Sequence, residues 1–457
     1  MSALWVTPAV VLVAVLVLRR LRPTWYWMAF GVTFAAIRVL VRYRSVMDAC
    51  GLTVPPSRWR LALARVANRP VPEARSPRIL RLRPTATGLV LRLKLRPGQD
   101  AFDFSASADR LRHSFALHNV VSREIRSGVV ELRMTGYDVL KRVRMPPAEP
   151  EAEPGAALRI PVALREDGEV HHRDYREVPH ALNVGATKSG KSVYQRTLVV
   201  GLAPRNVALV GIDCKNGVEL CPLAARFTAL ADNPGEAAEL LDALVVYMGR
   251  VYELIRAEQR ISVGLPDAEI TADIWDLPAH LRPVPVVLLV DEVAELALAA
   301  NKAEEARRDQ IVTNLVRLSQ LGRAAGIHLE VCGQRFGSEL GKGITMLRAQ
   351  LTGRTAHRVN DETSANMAFG DISPDAVLAA VQIDKDRPGT AVAGDSSGGW
   401  SRIRAPHTTL RKAVDICNAH AHRTPEIPEL APFRPQLPAR VLVGEVHPPE
   451  PAAASAF

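Results

Sequence analysis

Cysteine is scarce in this 457-residue chain, and its five cysteines are scattered without a CxxC pair. This scarcity argues against a disulfide framework and a cysteine-based zinc module, and it fits a reducing compartment. Lysine is almost as rare, with nine lysines against 49 arginines. Because the arginine excess is a bias of the whole chain, the net charge of +10 is weak evidence for a nucleic-acid partner. Apolar residues make up 47% and charged residues 23%, which argues against wholesale disorder, and the length suggests roughly three domains.

Charge is absent from Ser2 to Leu18, a stretch long enough to cross the hydrocarbon layer as a helix of about 26 Å. A second apolar stretch, Thr24 to Val41, opens with aromatic residues and is interrupted only by Arg38. A secretory signal peptide is disfavoured, since no positive charge precedes the first stretch and no small-residue cleavage site follows it. We predict a membrane anchor over residues 1–45, either as two spans or as one span plus an interfacial segment, with the rest of the chain cytoplasmic.

Composition divides the remainder of the chain into five segments. They are predicted to be a polar linker (46–77), a small α/β module (78–145), a Pro/Glu-rich hinge (146–157), a P-loop ATPase domain (158–405) and a Pro-rich tail (406–457). The module has runs that alternate as half-buried strands do and a helical pattern over Ala106 to Leu117, but no catalytic pattern, which favours an adaptor or assembly role. In the ATPase segment strands alternate with helices, which predicts a parallel sheet covered on both faces.

The segment GATKSGKS fits the phosphate-loop pattern G-x-x-x-x-G-K-[ST] at every fixed position, between an apolar strand and a helix. Its residues are Gly185, Ala186, Thr187, Lys188, Ser189, Gly190, Lys191 and Ser192. Backbone N–H groups of such a loop and the following helix N-terminus hold phosphates. Lys191 would reach the β- and γ-phosphates, and the Ser192 hydroxyl would ligate Mg²⁺. The predicted cofactors are therefore ATP and Mg²⁺.

A second apolar strand, VPVVLLV, ends in Asp291 and Glu292. Asp291 is predicted to hold Mg²⁺ through water, and Glu292 to polarise the attacking water as general base. Two further strands end in polar residues: one leads into Lys215, Gly217 and Glu219, and the other, after GRAAG, ends in Gln334. The Gln334 amide is well placed to sense the γ-phosphate, and Arg323, before that strand, lies where a neighbouring subunit could receive it.

In this order, GATKSGKS, GIDCKNGVEL, VVLLVDEVAEL and GRAAGIHLEVCGQR resemble the motor signatures of the FtsK/SpoIIIE family of DNA-pumping ATPases. The resemblance covers residues 175–400, and the chain as a whole looks most like the TraB-type transfer proteins of actinomycete mobile elements. It implies a RecA-like motor fold, a homohexameric ring, and double-stranded DNA moved through the centre using ATP. It also implies that Arg323 acts as an arginine finger in trans and Gln334 as a sensor, with Arg354 and Arg358 as weaker candidates. Phe336 replaces the family's usual proline, and residues 406–457 are too short and Pro-rich for its winged-helix DNA-reading domain.

Two segments that follow the catalytic strands are expected to face the channel, and they contain the candidate DNA contacts Lys342, Arg307 and Arg308. Arg307 and Arg308 share a helix with Glu304 and Glu305, so a solvated face of salt bridges is the alternative. The predicted function is a membrane-anchored ATP-driven double-stranded DNA translocase for conjugative transfer. The alternatives are a chromosome-partition pump, a protein-secretion ATPase of type VII, and a nucleotide-gated scaffold.

Overall fold

The computed structural model describes residues 13, 15–56, 59, 64, 66–67, 70, 73–143, 145, 158–215, 217–259, 271–337, 340–341 and 343–437. The predicted hinge, most of the first apolar stretch and Lys342 lie outside the described residues. The described chain forms two sheets, one of four strands and one of ten.

The second apolar stretch forms a long helix, α1 (Pro23–Ala49), with a π-helical turn at Trp27–Gly31. By length and composition α1 is the one described helix that could cross a membrane. One side of α1 is nevertheless buried against the small module, through Ala35, Val39, Val46 and Met47. The predicted boundary between anchor and linker at 45/46 is therefore wrong, because the helix and its buried side continue to Ala49.

The opposite side of α1 carries four exposed apolar side chains, which we call the apolar stripe. They are Phe30, Phe34, Ile37 and Val41, and the last is 77% exposed. The helix therefore has two apolar sides, and the sheet covers only one of them.

The small module is a two-layer structure of four antiparallel strands and three helices. After α1 its elements are β1 (Arg78–Pro84), β2 (Gly88–Lys94), α2 (Ala101–Ala106), α3 (Ala108–Ser114), β3 (Asn119–Arg126) and β4 (Val129–Thr135). The strand order is β1-β2-β4-β3. The helix predicted over Ala106 to Leu117 is instead two short helices, because Asp100 forms a capping box at α2 and the chain has already left α3 by Phe115.

The larger sheet has the order β6-β5-β14-β13-β12-β7-β11-β10-β8-β9. Its strands are β5 (Arg159–Arg165), β6 (Val170–Asp174), β7 (His180–Val184), β8 (Ala208–Ile212), β9 (Phe227–Ala231), β10 (Val286–Val290), β11 (Ile327–Gly333), β12 (Gly353–His357), β13 (Thr390–Asp395) and β14 (Trp400–Arg404). The expected parallel arrangement holds from β12 to β9. The other four strands add in antiparallel fashion, which no pattern in the sequence had predicted.

Helices cover both faces of the larger sheet. They are α4 (Lys191–Leu202), α5 (Pro234–Glu258), α6 (Val293–Ala297), α7 (Lys302–Leu321), α8 (Ile344–Gln350), α9 (Glu362–Phe369), α10 (Pro374–Val381) and α11 (Leu410–Ala419). Every residue of β7, β8, β10 and β11 is buried, as expected for central parallel strands that read as continuous apolar runs. The carboxyl ends of these four strands share one edge, where ligands of open α/β sheets bind.

The chain after β14 packs on the domain that contains the larger sheet. In α11, Ala413 and Cys417 are buried beside α4, and Ile427 and Leu430 join the core beyond it. Glu429 accepts a hydrogen bond from Arg250 at 2.5 Å. The predicted tail over 406–457 is therefore wrong for residues 406–433, which belong to the packed domain, while residues from 438 onward lie outside the described range.

Candidate functional site

The phosphate-loop segment connects β7 to α4 in a backbone shape that demands its glycines. Gly190 has φ of 101°, and a Cβ there would lie 2.3 Å from the backbone nitrogen of Gly389. A Cβ on Gly185 would lie 2.6 Å from the Ser189 Oγ. Lys188, with φ of 62°, is one of two described non-glycine residues in the left-handed region. The loop is thus folded tightly back on itself, as a phosphate cradle requires.

Three backbone hydrogen bonds hold the loop against neighbouring segments. The N–H of Gly185 donates to the Gly333 carbonyl, and the N–H of Ala186 donates to the Arg358 carbonyl. The Ser189 carbonyl accepts from the N–H of Gly389 at 2.9 Å. The loop is therefore tied to the ends of β11, β12 and the turn before β13. Since α4 begins at Lys191, the N–H groups of its first turn lack intrahelical acceptors and remain available to an anion.

Lys191 meets the two carboxylates that follow β10. Its Nζ donates to the Glu292 Oε2 at 3.1 Å and to the backbone carbonyl of Asp291 at 3.1 Å. All three residues are buried. The structure thus brings together the lysine of the loop and the acidic pair, which are 100 positions apart in the chain.

The two carboxylates differ electrostatically. Burial raises the pKa of Glu292, but the ammonium groups of Lys191 and Lys215 outweigh it and hold that pKa below its ordinary value. Burial, together with the nearby carboxylates of Asp213 and Glu219, raises the pKa of Asp291 above its ordinary value despite the same two lysines. Glu292 is therefore ionised at neutral pH, as a base that activates water must be.

The Asp291 side chain also has an unsatisfied oxygen. Its Oδ1 is buried and has no hydrogen-bond partner among the described residues. A buried carboxylate oxygen without a donor fits a cation ligand. Ser192, the other predicted ligand, lines the cavity over the phosphate loop. No cluster of three or more histidine, cysteine, aspartate or glutamate residues suited to a metal occurs among the described residues.

Lys215 is a site residue whose role sequence reasoning missed. Its Nζ lies 3.1 Å from the Glu292 Oε2 and 3.7 Å from the Asp291 Oδ2. The turn that presents it is organised by Asp213, whose carboxylate accepts from the N–H groups of Glu219 and Leu220, each at 2.8 Å. The sequence did contain a signal, because Lys215 follows an apolar strand as a polar residue. That signal becomes informative once β8 is known to pair with β10.

Gln334 contributes through its backbone. Its N–H donates to the Glu292 Oε1 at 3.1 Å, so Glu292 is held by two lysines and one main-chain donor. The Gln334 residue also lines the cavity over the phosphate loop.

That cavity has a volume of about 700 Å³, which is large enough for a nucleotide. Its far wall was not predicted. Pro388 and Gly389 come from the turn before β13, Arg404 and His407 from the end of β14 and beyond, and Lys141 from the end of the small module.

Arg323 lies away from this cavity. It is exposed in the turn between α7 and β11, at the amino end of a strand whose carboxyl end carries Gln334. The seven residues of β11 separate the two ends by about 20 Å. Arg323 therefore does not contact the phosphate loop of its own chain.

The remaining arginine candidates differ in burial and in their hydrogen-bond partners. Arg354 is buried and its guanidinium donates to the Leu351 carbonyl, so it serves packing. Arg358 donates to the Thr187 carbonyl at 3.0 Å and borders the loop. On α7, Arg307 is exposed, whereas Arg308 pairs with Asp309 at 3.0 Å rather than with Glu304 or Glu305.

Comparison with known proteins identifies both parts of the chain. Residues 148–338 match the model of the FtsK/SpoIIIE family, and residues 13–136 match that of the actinomycete conjugal transfer protein N-terminal domain. The transfer protein TraSA of Streptomyces ambofaciens is 78% identical over 401 residues, covering 88% of this chain and 96% of that protein. A sporulation regulatory protein of Streptomyces azureus is 55% identical over 58% of this chain and 84% of its own length. The conjugation coupling protein TcpA of pCW3, solved with ATPγS, shares the fold with a TM-score of 0.50 and 15% identity, over 79% of this chain and 98% of that one.

Proposed function

Because the chain belongs to the family of actinomycete conjugal transfer proteins that carry an FtsK/SpoIIIE domain, we propose that it is a membrane-anchored ATPase that moves double-stranded DNA during conjugative transfer. The observation that carries this proposal is the buried cluster of Lys191, Asp291 and Glu292 beside the phosphate loop. A nucleotide-gated scaffold would need the loop but would not need a carboxylate held ready as a base.

In the proposed reaction, the loop N–H groups and Lys191 bind the phosphates of ATP. On binding, the Lys191 ammonium leaves Glu292 for the β- and γ-phosphates, where negative charge develops during transfer. Glu292, still held by Lys215 and the Gln334 N–H, then orients the attacking water and accepts its proton. Ser192 and Asp291 are the residues that would hold Mg²⁺, which when bound neutralises phosphate charge. The Gln334 side chain is the proposed sensor of the γ-phosphate.

The position of Arg323 supports an oligomer. An arginine finger exposed about 20 Å from the phosphate loop of its own chain would complete a site on another subunit. We therefore propose that the chain works as a ring, with the hexamer of the resembling family as the expected form.

For the anchor, the contacts of α1 favour one span plus an interfacial segment over two spans. If α1 crossed the bilayer, the sheet packed along it would have to enter the bilayer too. We propose that the apolar stripe of α1 rests at the membrane surface. The membrane span itself stays a prediction from sequence over Ser2 to Leu18, most of which lies outside the described residues. The motor domain is then cytoplasmic.

The decisive experiment measures ATP hydrolysis by the full chain in detergent, with and without double-stranded DNA. Truncation of residues 1–45 is avoided because it would remove Ala35, Val39 and Tyr43 from the module core. We expect DNA to stimulate hydrolysis. Absence of stimulation would contradict the DNA-translocase proposal and favour a protein-secretion motor. In the host, deletion should abolish plasmid or element transfer while chromosome partition continues normally, and a partition defect alone would favour the partition pump.

Replacement of Lys215 by methionine should lower kcat for ATP by about tenfold or more while leaving KM nearly unchanged. The methionine removes one of the donors that orient the Glu292 carboxylate but leaves the phosphate loop intact. Steady-state phosphate release checks this, with Lys215→Arg as the charge-preserving variant and Lys385→Met as a surface control. A raised KM at unchanged kcat would assign Lys215 to nucleotide binding instead.

The triple change of Lys342, Arg307 and Arg308 to alanine should reduce DNA stimulation and leave DNA-free hydrolysis intact. Removal of each side chain that binds a DNA phosphate should lower the slope of log affinity against log salt by about 0.9. Duplex binding measured over a salt series tests this, and changing Arg411, Arg256 and Lys412 to alanine is the matched control. An unchanged slope and unchanged stimulation would move the DNA path away from these residues.

A further inference from the structure

The outer face of the four-stranded sheet is strongly basic. On β2 and β4 the inward positions hold Leu91, Leu93, Leu132 and Met134, which are buried under α1, α2 and α3. Most outward positions of the four strands hold basic residues instead, with Glu131 and three valines between them. The basic residues are Arg78, Arg81, Arg83, Arg92, Lys94, Arg123, Arg126 and Arg133, which together we call the basic sheet face.

Strand register concentrates this charge. Arg81 pairs with Arg92, which pairs with Glu131, which in turn pairs with Arg123, so one row across the sheet contains three arginines. The neighbouring row places Arg78 beside Lys94 and ends in Arg126. Like charges placed directly opposite each other destabilise a sheet. Such a row therefore calls for a reason outside the stability of the sheet.

One acidic residue neutralises a part of the face. Glu131 is 3% exposed and accepts from the Nε of Arg92 at 2.7 Å and from the Nε of Arg133 at 2.9 Å. Within the part of the chain that the structure describes, the side chains of the other six basic residues form no ion pair with a carboxylate, although Arg123 lies opposite Glu131 in the strand register. All six are exposed. The face therefore carries a surplus of positive charge that a partner could neutralise.

We propose that the basic sheet face is a second, sequence-independent binding surface for the phosphates of double-stranded DNA, separate from the channel of the ring. The inference rests on the proposed function, in which this chain handles duplex DNA. Four strands span about 14 Å, which is close to the roughly 12 Å width of the major groove between phosphate backbones. Arginine side chains that contact backbone phosphates supply affinity without reading the base sequence.

The position of the apolar stripe argues against an anionic membrane as the partner. The stripe, with Phe34 69% exposed and Val41 77% exposed, lies on the helical side of the module. The basic sheet face lies on the other side, beyond the helix layer and the sheet. If the stripe rests on lipid, the basic face is turned toward the cytoplasm, where DNA is found.

The same face adjoins the motor domain. Arg133 forms an ion pair with Glu169 in the turn between β5 and β6, and a cleft of about 300 Å³ separates Arg81 and Arg83 from Asp167 of that turn. A further ion pair, Arg387 with Asp138 at 2.7 Å, fixes the module to the motor domain. A duplex held by the face is thus tethered beside the motor, where it would raise the local concentration of DNA.

The test changes Arg81, Arg123 and Arg126 to glutamine in the full chain, in detergent and without nucleotide. Binding of a short fluorescent duplex is measured by anisotropy over a potassium chloride series. The matched control changes Arg110, Arg256 and Arg411 to glutamine, which removes the same charge from exposed sites elsewhere. We expect the face variant to bind at least tenfold more weakly at low salt, with a salt slope lower by up to about 2.7, and the control to match the parent.

DNA-free ATP hydrolysis serves as the folding check, and it should be equal in parent, face variant and control. If the parent binds duplex and the face variant binds equally well, the basic sheet face is not a DNA surface, although the proposed function stands. If the parent neither binds duplex nor is stimulated by it, the proposed function itself fails. A face variant with normal duplex binding but weaker flotation with phosphatidylglycerol vesicles than with phosphatidylcholine vesicles, relative to the control, would assign the face to lipid and overturn the proposal.

Discussion

Replacement of Lys191 by alanine is expected to abolish ATP hydrolysis, lowering kcat by about 10³-fold or more. Lys191 is the buried lysine at the start of α4, and its ammonium group lies between the phosphate loop and Glu292. Among the described lysines, Lys191 alone both belongs to the loop and places its ammonium group against the acidic pair. In the variant, therefore, no other side chain supplies the positive charge that Lys191 places on the β- and γ-phosphates. Phosphate release by the purified full chain measures the effect, and conjugative transfer in vivo should fall with it.

Two further variants separate catalysis from folding. Lys188 lies in the same loop but is exposed, so Lys188→Ala should retain much more activity than Lys191→Ala. Glu292→Gln keeps the shape of the side chain and loses its basicity, so it should bind ATP and stall. Near-normal turnover by Lys191→Ala would rule out the motor mechanism altogether, and loss of ATP binding by Glu292→Gln would contradict the role of Glu292 as base.

Mixing Arg323→Ala subunits with Lys191→Ala subunits is expected to restore hydrolysis that neither variant has alone. Each variant should be inactive by itself, because removal of an arginine finger lowers the rate by about 10³–10⁵. In a mixed ring, some interfaces pair an intact loop with an intact Arg323 from the neighbour. Those interfaces should hydrolyse ATP. Activity is measured as the mixing ratio is varied at constant total protein.

The control for this experiment is Arg317→Ala. Arg317 is also exposed, and it lies on α7, six positions before Arg323. Arg317→Ala alone should remain active. Failure of every mixing ratio to recover hydrolysis, with both variants assembled normally, would remove the trans role of Arg323. Activity retained by Arg323→Ala alone would show that hydrolysis needs no finger at this position.

The fold class was accessible from sequence because its signals are local. The phosphate-loop segment and the apolar runs that end in carboxylates occupy consecutive positions, and each predicts its own strand, turn and helix. The resemblance to the FtsK/SpoIIIE family rested on the same segments and is confirmed. The four antiparallel strands were not predicted, because they mix polar with apolar residues and carry no motif.

The predicted bounds of the anchor and of the tail were wrong because parts of both segments are buried against the folded domains. An apolar stretch reads the same whether lipid or a sheet covers it, so the anchor could not be distinguished from a helix that packs on the module along one side. Likewise, the proline-rich composition after β14 predicted a tail. Two of the few apolar side chains there, Ile427 and Leu430, are nevertheless buried in the core of the motor domain. Composition measures how much apolar surface a segment has, and only the fold determines what that surface meets.

The linear order of residues was enough to predict the phosphate loop and the acidic pair and to indicate the family, because each signal depends on spacing within a dozen positions. The surroundings of Glu292 depended on the sheet order β7-β11-β10-β8, which brings Lys191, Lys215 and the Gln334 N–H to one edge. The hydrophobic periodicity of the chain does not predict which strands are neighbours in the sheet. The basic sheet face likewise required strand register, since a shift of one residue would turn its arginines into the core. Long-range pairing therefore added Lys215 to the site and assembled the charged face, using residues whose local patterns had marked them only as polar.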